Sequence, residues 1–265
     1  MTDFHNDRDE AALPPKAQER LLRQDSSTAL AGLSAGELLA LRQTGAQPLG
    51  LAMGVSVFSL GGISLSSAVS GELKFLTGAL RTEQRLVLDR LRAEAALLGA
   101  DGVLGVRLTR RRVGGDAPLL EMQAIGTAIR GSGMQTGSPW ISGLSGTEYA
   151  ALQAAGYRPV GLTLGNCAYF RVPDTQRYPT MAGATVQRSY ERADYTQATY
   201  GARHLALERM RAEGKALHGD GIVGVQTDIQ RHVSEMGLFV HFFASGTAIT
   251  RISGGNPSID ITIPL

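Results

Sequence analysis

The chain has 265 residues, the length of one large domain or two ordinary ones, and 26 Lys+Arg against 24 Asp+Glu leave a formal charge of +2. So small an excess excludes binding to nucleic acid by bulk charge, and a hydrophobic fraction of 43% excludes wholesale disorder. A single cysteine permits neither an internal disulfide nor a multi-thiolate zinc site.

In chain order, the opening MTDFHNDRDE is polar and acidic and lacks the basic start and apolar run of a signal peptide, so residues 1–30 read as a mobile arm with one helical turn. The first folded unit, 31–130, begins with Leu33 as a hydrophobic staple and Ser34-x-x-Glu37 as a capping box; a short helix follows, ended by Gly45 as a left-handed cap. Pro48 forbids further helix, and an apolar run to Phe58 predicts a strand. No charge occurs between Arg42 and Glu72, and 49–69 approaches the length of a bilayer span. Its counterpart later in the chain runs into Arg171, Asp174 and Arg177, which a span does not tolerate, so the expectation is a soluble, cytoplasmic protein. A long helix over 77–98 carries Val87, Leu91, Ala95 and Leu98 on one stripe, Gly99 closes it, and Asp101-Gly102 marks a tight turn. Leu104, Val106 and Leu108, then Leu120, Met122 and Ala124, alternate as the two strands of a hairpin.

After a glycine- and serine-rich linker at 131–143 the same order returns over 144–252, and 253–265 forms a tail. LSAGELLALRQTGAQPLGLAMG (33–54) aligns with LSGTEYAALQAAGYRPVGLTLG (144–165) at a constant offset of 111. LRAEAALLGADGVLGV (91–106) aligns with MRAEGKALHGDGIVGV (210–225) at an offset of 119, and AIGTAI (124–129) with ASGTAI (244–249) at 120. The offset grows only in connectors, where insertions are tolerated. The second long helix, over 196–217, repeats the stripe as Ala206, Met210, Gly214 and Leu217. Strands of period 2 against helices of period 3.6 give an α+β fold: two tandem copies of a small domain, each with helices packed on one face of a largely antiparallel sheet.

The runs Arg92–Val106 and Ala124–Ile129, repeated as Arg211–Val225 and Ala244–Ile249, resemble the YbjQ family, labelled a heavy-metal-binding domain. The positions that carry the resemblance are Arg92, Glu94, Gly99, Asp101, Gly102, Gly105, Gly126 and Thr127, then Arg211, Glu213, Asp220, Gly221, Gly224, Gly246 and Thr247. It covers most of 33–130 and 144–250. It implies a small α+β domain that assembles into rings, commonly pentamers, and brings no established catalytic residues.

No chemistry stands out among the remaining residues. His5, His204, His218, His232, His241 and Cys167 show no chelating spacing; His204 and His218 share a helix but are separated by about 21 Å over 14 residues. None of these histidines has a histidine counterpart in the first copy, so no metal site and no cofactor is expected. Cys167 reads as a buried structural thiol, and GGISLSSAVSG (61–71) lacks the lysine of a phosphate cradle, so the chain is not read as an enzyme. Arg107, Arg110, Arg111 and Arg112 cluster at a hairpin end but correspond to Gln226, Ile229, Gln230 and Arg231, and read as a solvated tip. Trp140 sits where the linker enters the second copy, opposite Ala29 and Leu30 in the repeat, and reads as an anchor of that junction.

The candidate interface lies on the outer face of each last strand. Phe239, His241 and Phe243 alternate with Phe242 and Ala244, and their first-copy equivalents are Leu119, Glu121 and Gln123. A sheet with two phenylalanines on its second face needs a cover, either the other repeat or another chain. The expected function is therefore a non-enzymatic, self-assembling protein that forms a closed homo-oligomeric ring or scaffold, with itself as the main partner, another protein as a further one, and neither nucleic acid nor membrane. The alternative is a metal- or small-ligand-binding stress protein with sites at subunit junctions. A five-domain ring cannot be made from whole two-domain chains. Five chains in two stacked rings, one from each repeat, preserve the family's ring and are favoured; repeats alternating round one ring of even domain number are the other closed solution.

Overall fold

The computed structural model describes residues 13–22, 30–59, 69–113, 119–131, 137–174 and 191–252. Most of the expected arm, residues 132–136 of the linker, the glycine- and serine-rich run at 61–68, His5 and the tail at 253–265 lie outside the described residues, and the linker's last residues are ordered against the first sheet. Within the arm, Pro15–Leu22 (α1) forms about two helical turns rather than one, and Arg20 reaches the buried Glu94 carboxylate at 2.8 Å. Among the described residues no helix is long and apolar enough to cross a membrane.

The two halves are built alike from the first turn. Helices Ala35–Gln43 (α2) and Gly146–Ala154 (α4) both carry a complete capping box. Ser34 Oγ accepts from Glu37 N–H at 3.3 Å while the Glu37 carboxylate accepts from Ser34 N–H at 2.7 Å, and Ser145 with Glu148 repeats both distances. Strands Gln47–Ser59 (β1) and Tyr157–Arg171 (β6) follow. Two-residue β2 (Gly71–Glu72) precedes the long helix Lys74–Leu97 (α3), whose twin is Ala193–Ala216 (α5). Both helices begin three residues earlier than the sequence expectation. Their N-caps, Leu73 and Arg192, make no side-chain cap bond, so no local signal marks the start.

The hairpins are Gly102–Val113 (β3) with Leu119–Arg130 (β4), and Gly221–Ser234 (β7) with Gly237–Arg251 (β8). A further short strand, Trp140–Ile141 (β5), belongs to the junction. The sheets run β1-β4-β3-β5 and β2-β6-β8-β7, with β1, β4 and β3, and β6, β8 and β7, antiparallel. Each hairpin has the same bulge, between Leu104 and Arg107 and between Val223 and Gln226, where Gly105 and Gly224 both take φ +62°. A side chain there is strained, which explains the paired glycines.

One long helix lies on one face of each sheet. A Cβ at Gly54 would collide with the Val87 carbonyl of α3, and one at Gly165 with the Ala206 carbonyl of α5, so these glycines set the helix-to-sheet distance. Val87, Leu91 and Ala95 pack with Ala52, Met122 and Ala124; Ala202, Ala206 and Met210 pack with Cys167, Val240 and Phe242. Each of the larger side chains among these contributes about 1.5–3 kcal/mol on burial, and each alanine methyl about 0.8 kcal/mol. The motif glutamates tie helix to strand: Glu94 accepts from Met53 N–H at 2.8 Å, and Glu213 accepts from the equivalent Leu164 N–H. Arg90 and Arg209 do the same from the other side, donating to the carbonyls of Val55 at 2.6 Å and Asn166 at 2.8 Å.

Candidate functional site

The candidate site is the junction where the second copy meets the first. The lead-in to the second copy lies beside β3 as an added strand, parallel, with Gly102 opposite Trp140 and Val103 opposite Ile141. Ser142 N–H donates to Val103 O at 2.9 Å, Val106 N–H to Ser142 O at 3.0 Å, and Gly105 N–H to Leu144 O at 2.8 Å. These are backbone bonds, so they leave little trace in side-chain pattern. Trp140 stacks on Tyr149 with ring centroids 5.7 Å apart and lies against Gly102, where a Cβ would overlap its ring. Both aromatics are buried with Leu41, Leu104 and Ile129 of the first copy.

The motif threonines hold each lead-in against its own sheet. Thr247 Oγ1 accepts from Gly143 N–H at 3.1 Å, and Thr127 Oγ1 accepts from Gly32 N–H at 2.9 Å. The motif aspartates fasten the end of each last strand: Asp101 accepts from Gly131 N–H at 2.8 Å and Asp220 from Arg251 N–H at 2.9 Å.

The outer face of the second sheet is covered over β6 and β8 by the first copy of the same chain, while β7 stays exposed. β2 pairs with β6, Gly71 opposite Phe170, and Leu73 N–H donates to Ala168 O at 2.8 Å. Leu76 and Leu80 of α3, with Leu120, pack on Ala168 and Phe239, while Phe243 packs against the first core and His241 is buried. Asn166 Nδ2 donates to Gln84 Oε1 at 2.8 Å, and Thr77 Oγ1 accepts from Ala168 N–H at 3.1 Å. The first-copy counterparts sit on the same face of the other sheet and are only partly buried. There Glu121 bonds Arg111 at 3.0 Å and Gln123 Nε2 donates to Met53 Sδ at 3.2 Å.

Charge is concentrated in the same junction. Arg110 departs from the solvated tip expected for its cluster: its side chain is 10% exposed and runs between the copies, 3.3 Å from Asp228 and 3.5 Å from His241 Nε2, over the Phe243 ring. A guanidinium only donates, so a hydrogen bond across this contact requires Nε2 as acceptor and the imidazole proton on Nδ1. Burial pushes the His241 pKa down to about 3, reinforced by the Arg110 charge, so the ring is neutral. Burial pushes Glu83 up to about 7, with Arg110 pulling it back, and neither carboxylate oxygen has a hydrogen-bond partner among the described residues. Glu83 went unnoticed in the sequence, although a signal exists: it lies four residues before Val87, on the buried stripe, where its counterpart is Ala202.

A cavity of about 320 Å³ opens beside Arg110, lined by Val106, Met122, Gly143, Asp228 and Phe243. Between α3 and α5 a groove of about 370 Å³ carries Arg81, Arg85, Arg92 and Arg209 with Glu213. No group of three His, Cys, Asp or Glu side chains is placed to hold a metal among the described residues. Cys167 is buried in the second core, which pushes its thiol up to about 11, with the Glu72 carboxylate adding to the shift; such a thiol is a poor nucleophile.

A family model described as "Putative heavy-metal-binding", that of YbjQ, matches residues 50–132 and 181–251, once in each copy. The encapsulin nanocompartment protein Rv1762c of Mycobacterium tuberculosis is 34% identical over 251 residues, spanning 92% of this chain and 94% of that relative. UPF0145 proteins of Limosilactobacillus fermentum and Enterococcus faecalis are 36% and 38% identical over 69 residues, 26% of this chain and 60% and 65% of theirs. The whole length of those two relatives is close to one copy.

Proposed function

This chain belongs to the YbjQ family through both of its halves, and from that premise we propose that it is a non-enzymatic, self-assembling protein that builds a closed homo-oligomeric ring or scaffold. The observation that carries the reading is the construction of the junction. Each copy lends a strand to the other's sheet, β5 to the first and β2 to the second, and the first copy covers β6 and β8 of the second sheet, which is how subunits join, here within one chain. A relative that shares both copies is named as a nanocompartment protein, and that name supports a place in an assembly. Neither the family description nor the relatives' names is that of an enzyme.

Native mass spectrometry of the full chain at micromolar concentration tests the proposal. The expected result is a single discrete multiple of the chain mass. A monomer at that concentration overturns it. The alternative, a metal or small-ligand binder with sites at subunit junctions, would need a ligand set completed by a second chain, because the described residues hold none.

A further inference from the structure

We propose that the second copy receives the first copy of another chain through the same surfaces by which the two copies meet within one chain, so that copies alternate head to tail. The inference rests on the self-assembly reading and adds which surfaces meet.

Several components of the internal junction have a counterpart left open. β3 is flanked by the lead-in to the second copy, whereas β7, its twin, is the edge of its sheet. Residues 30–33 are the equivalents of 141–144, and Gly32 is held by Thr127 as Gly143 is held by Thr247. The donor segment is thus already laid on its own sheet, and little further ordering is needed for it to add to β7 of a neighbour.

Exposure follows the same logic, residue for residue. Ile141 is fully buried, but its equivalent Leu30 is 64% exposed. Val106, beneath the added strand, is 8% exposed, against 47% for Val225. Ala168, under α3, is fully buried, while Val57 on the first sheet is 55% exposed. The same fold in two copies differs in exposure at positions where one copy has a neighbour and the other has none. A groove of about 510 Å³ between α5 and β7, lined by Tyr195, Thr199, Ile229 and Val233, occupies the place that the face bearing Phe239 and Phe243 fills beside α3. The outer face of the first sheet, with Leu51, Val55, Val57 and Leu119 around Glu121 and Gln123, is the matching occupant.

The second contact is a looser version of the first. Trp140 and Tyr149 are replaced by Ala29 and Leu38, and Gly146 by Ala35. A Cβ at Gly146 would stand 2.8 Å from the Glu37 carbonyl, so the short helices must sit slightly further apart between chains than within one. Because the contact joins two different surfaces, each chain offers one donor and one receiver, and a closed ring then holds an even number of copies. The contact always joins a first copy to a second, so both kinds of copy lie in one ring, which is the alternating ring and not two stacked rings with one kind of copy in each.

The test uses full-length chains carrying Leu30→Asp, which blocks the donor, or Val225→Asp, which blocks the receiver, with Val57→Asp as a second donor-side variant; all three sites are exposed in the single chain. Wild type is expected to run as an oligomer by light scattering, and each folded variant at the mass of one chain. An equimolar mixture of Leu30→Asp and Val225→Asp is expected to give a one-to-one heterodimer and nothing larger, because only one intact contact remains. A monomeric wild type overturns self-assembly itself. A wild-type oligomer whose mass none of the three variants changes overturns only the assigned surfaces, as does a mixture that stays monomeric.

Discussion

The guanidinium of Arg110 lies 5.5 Å from the centre of the Phe243 ring, joining a strand of the first copy to a strand of the second. Desolvated contacts of this kind contribute about 2 kcal/mol. Here the cation also faces the half-exposed Asp228 at 3.3 Å and offsets the charge of a buried Glu83. In the second copy the same position holds Ile229, part of the open groove.

Arg110→Ala should destabilise the chain by about 1–3 kcal/mol in urea unfolding, through lost packing on Phe243 and loss of the charge near Glu83. It should also raise the His241 pKa toward its usual value, because the neighbouring positive charge is gone; the imidazole resonances in a pH titration report this. An unmoved His241 would show that burial alone sets its pKa.

Glu83→Gln should be pH-selective. Folding raises the Glu83 pKa from 4.5 to about 7, so between those values the folded chain holds a proton that the unfolded chain has released. Its contribution is fully present below 4.5 and lost as pH rises through 7. The Gln variant should therefore gain up to about 3 kcal/mol over wild type at pH 8 and little at pH 4. Equal differences at both pH values would count against the assignment.

His241→Asn should tilt the profile the other way. The folded His241 pKa lies at about 3 against 6.5 unfolded, so acidification protonates the unfolded chain first. Stability from this group is complete above 6.5 and lost as pH falls toward 3. Between 4.5 and 6.5 the Glu83 and His241 slopes oppose each other, and each single variant should expose the other group's slope in urea midpoints.

His218→Gly should stabilise. His218 takes φ +56° at the end of α5, where the first copy places Gly99 at +69°. Relieving a left-handed side chain is expected to add about 0.5–1 kcal/mol, partly offset by the unfolded-state entropy of glycine. A lower melting temperature for the variant would contradict the geometry.

Trp140→Ala should open a cavity between the copies at a cost of about 3–5 kcal/mol. Limited proteolysis is expected to cut near 137–139 much faster than in wild type, because the added strand loses its anchor. Cleavage at an unchanged rate would mean that the backbone bonds to β3 hold the junction unaided.

Much of each copy was legible from neighbouring residues. Ser34 with Glu37, Ser145 with Glu148, the stripe of Val87, Leu91 and Ala95, and the period-2 runs of the hairpins act within a few positions along the chain, so pattern suffices to find them. The tandem repeat and its family followed from the same local text. Where the long helices begin was not legible, because neither Leu73 nor Arg192 offers a cap.

The junction was decided by tertiary structure alone. The amino-acid sequence determined that the face carrying Phe239, His241 and Phe243 needs a cover, since hydrophobic area does not stay in water. It could not say whose atoms supply it. Burial depends on which elements, distant along the chain, arrive in the same place, and strand addition at β3 uses backbone groups common to every residue. The same distance in sequence hid the setting of Arg110, which joins Glu83 of the buried stripe in a charge cluster only because the second sheet closes over it.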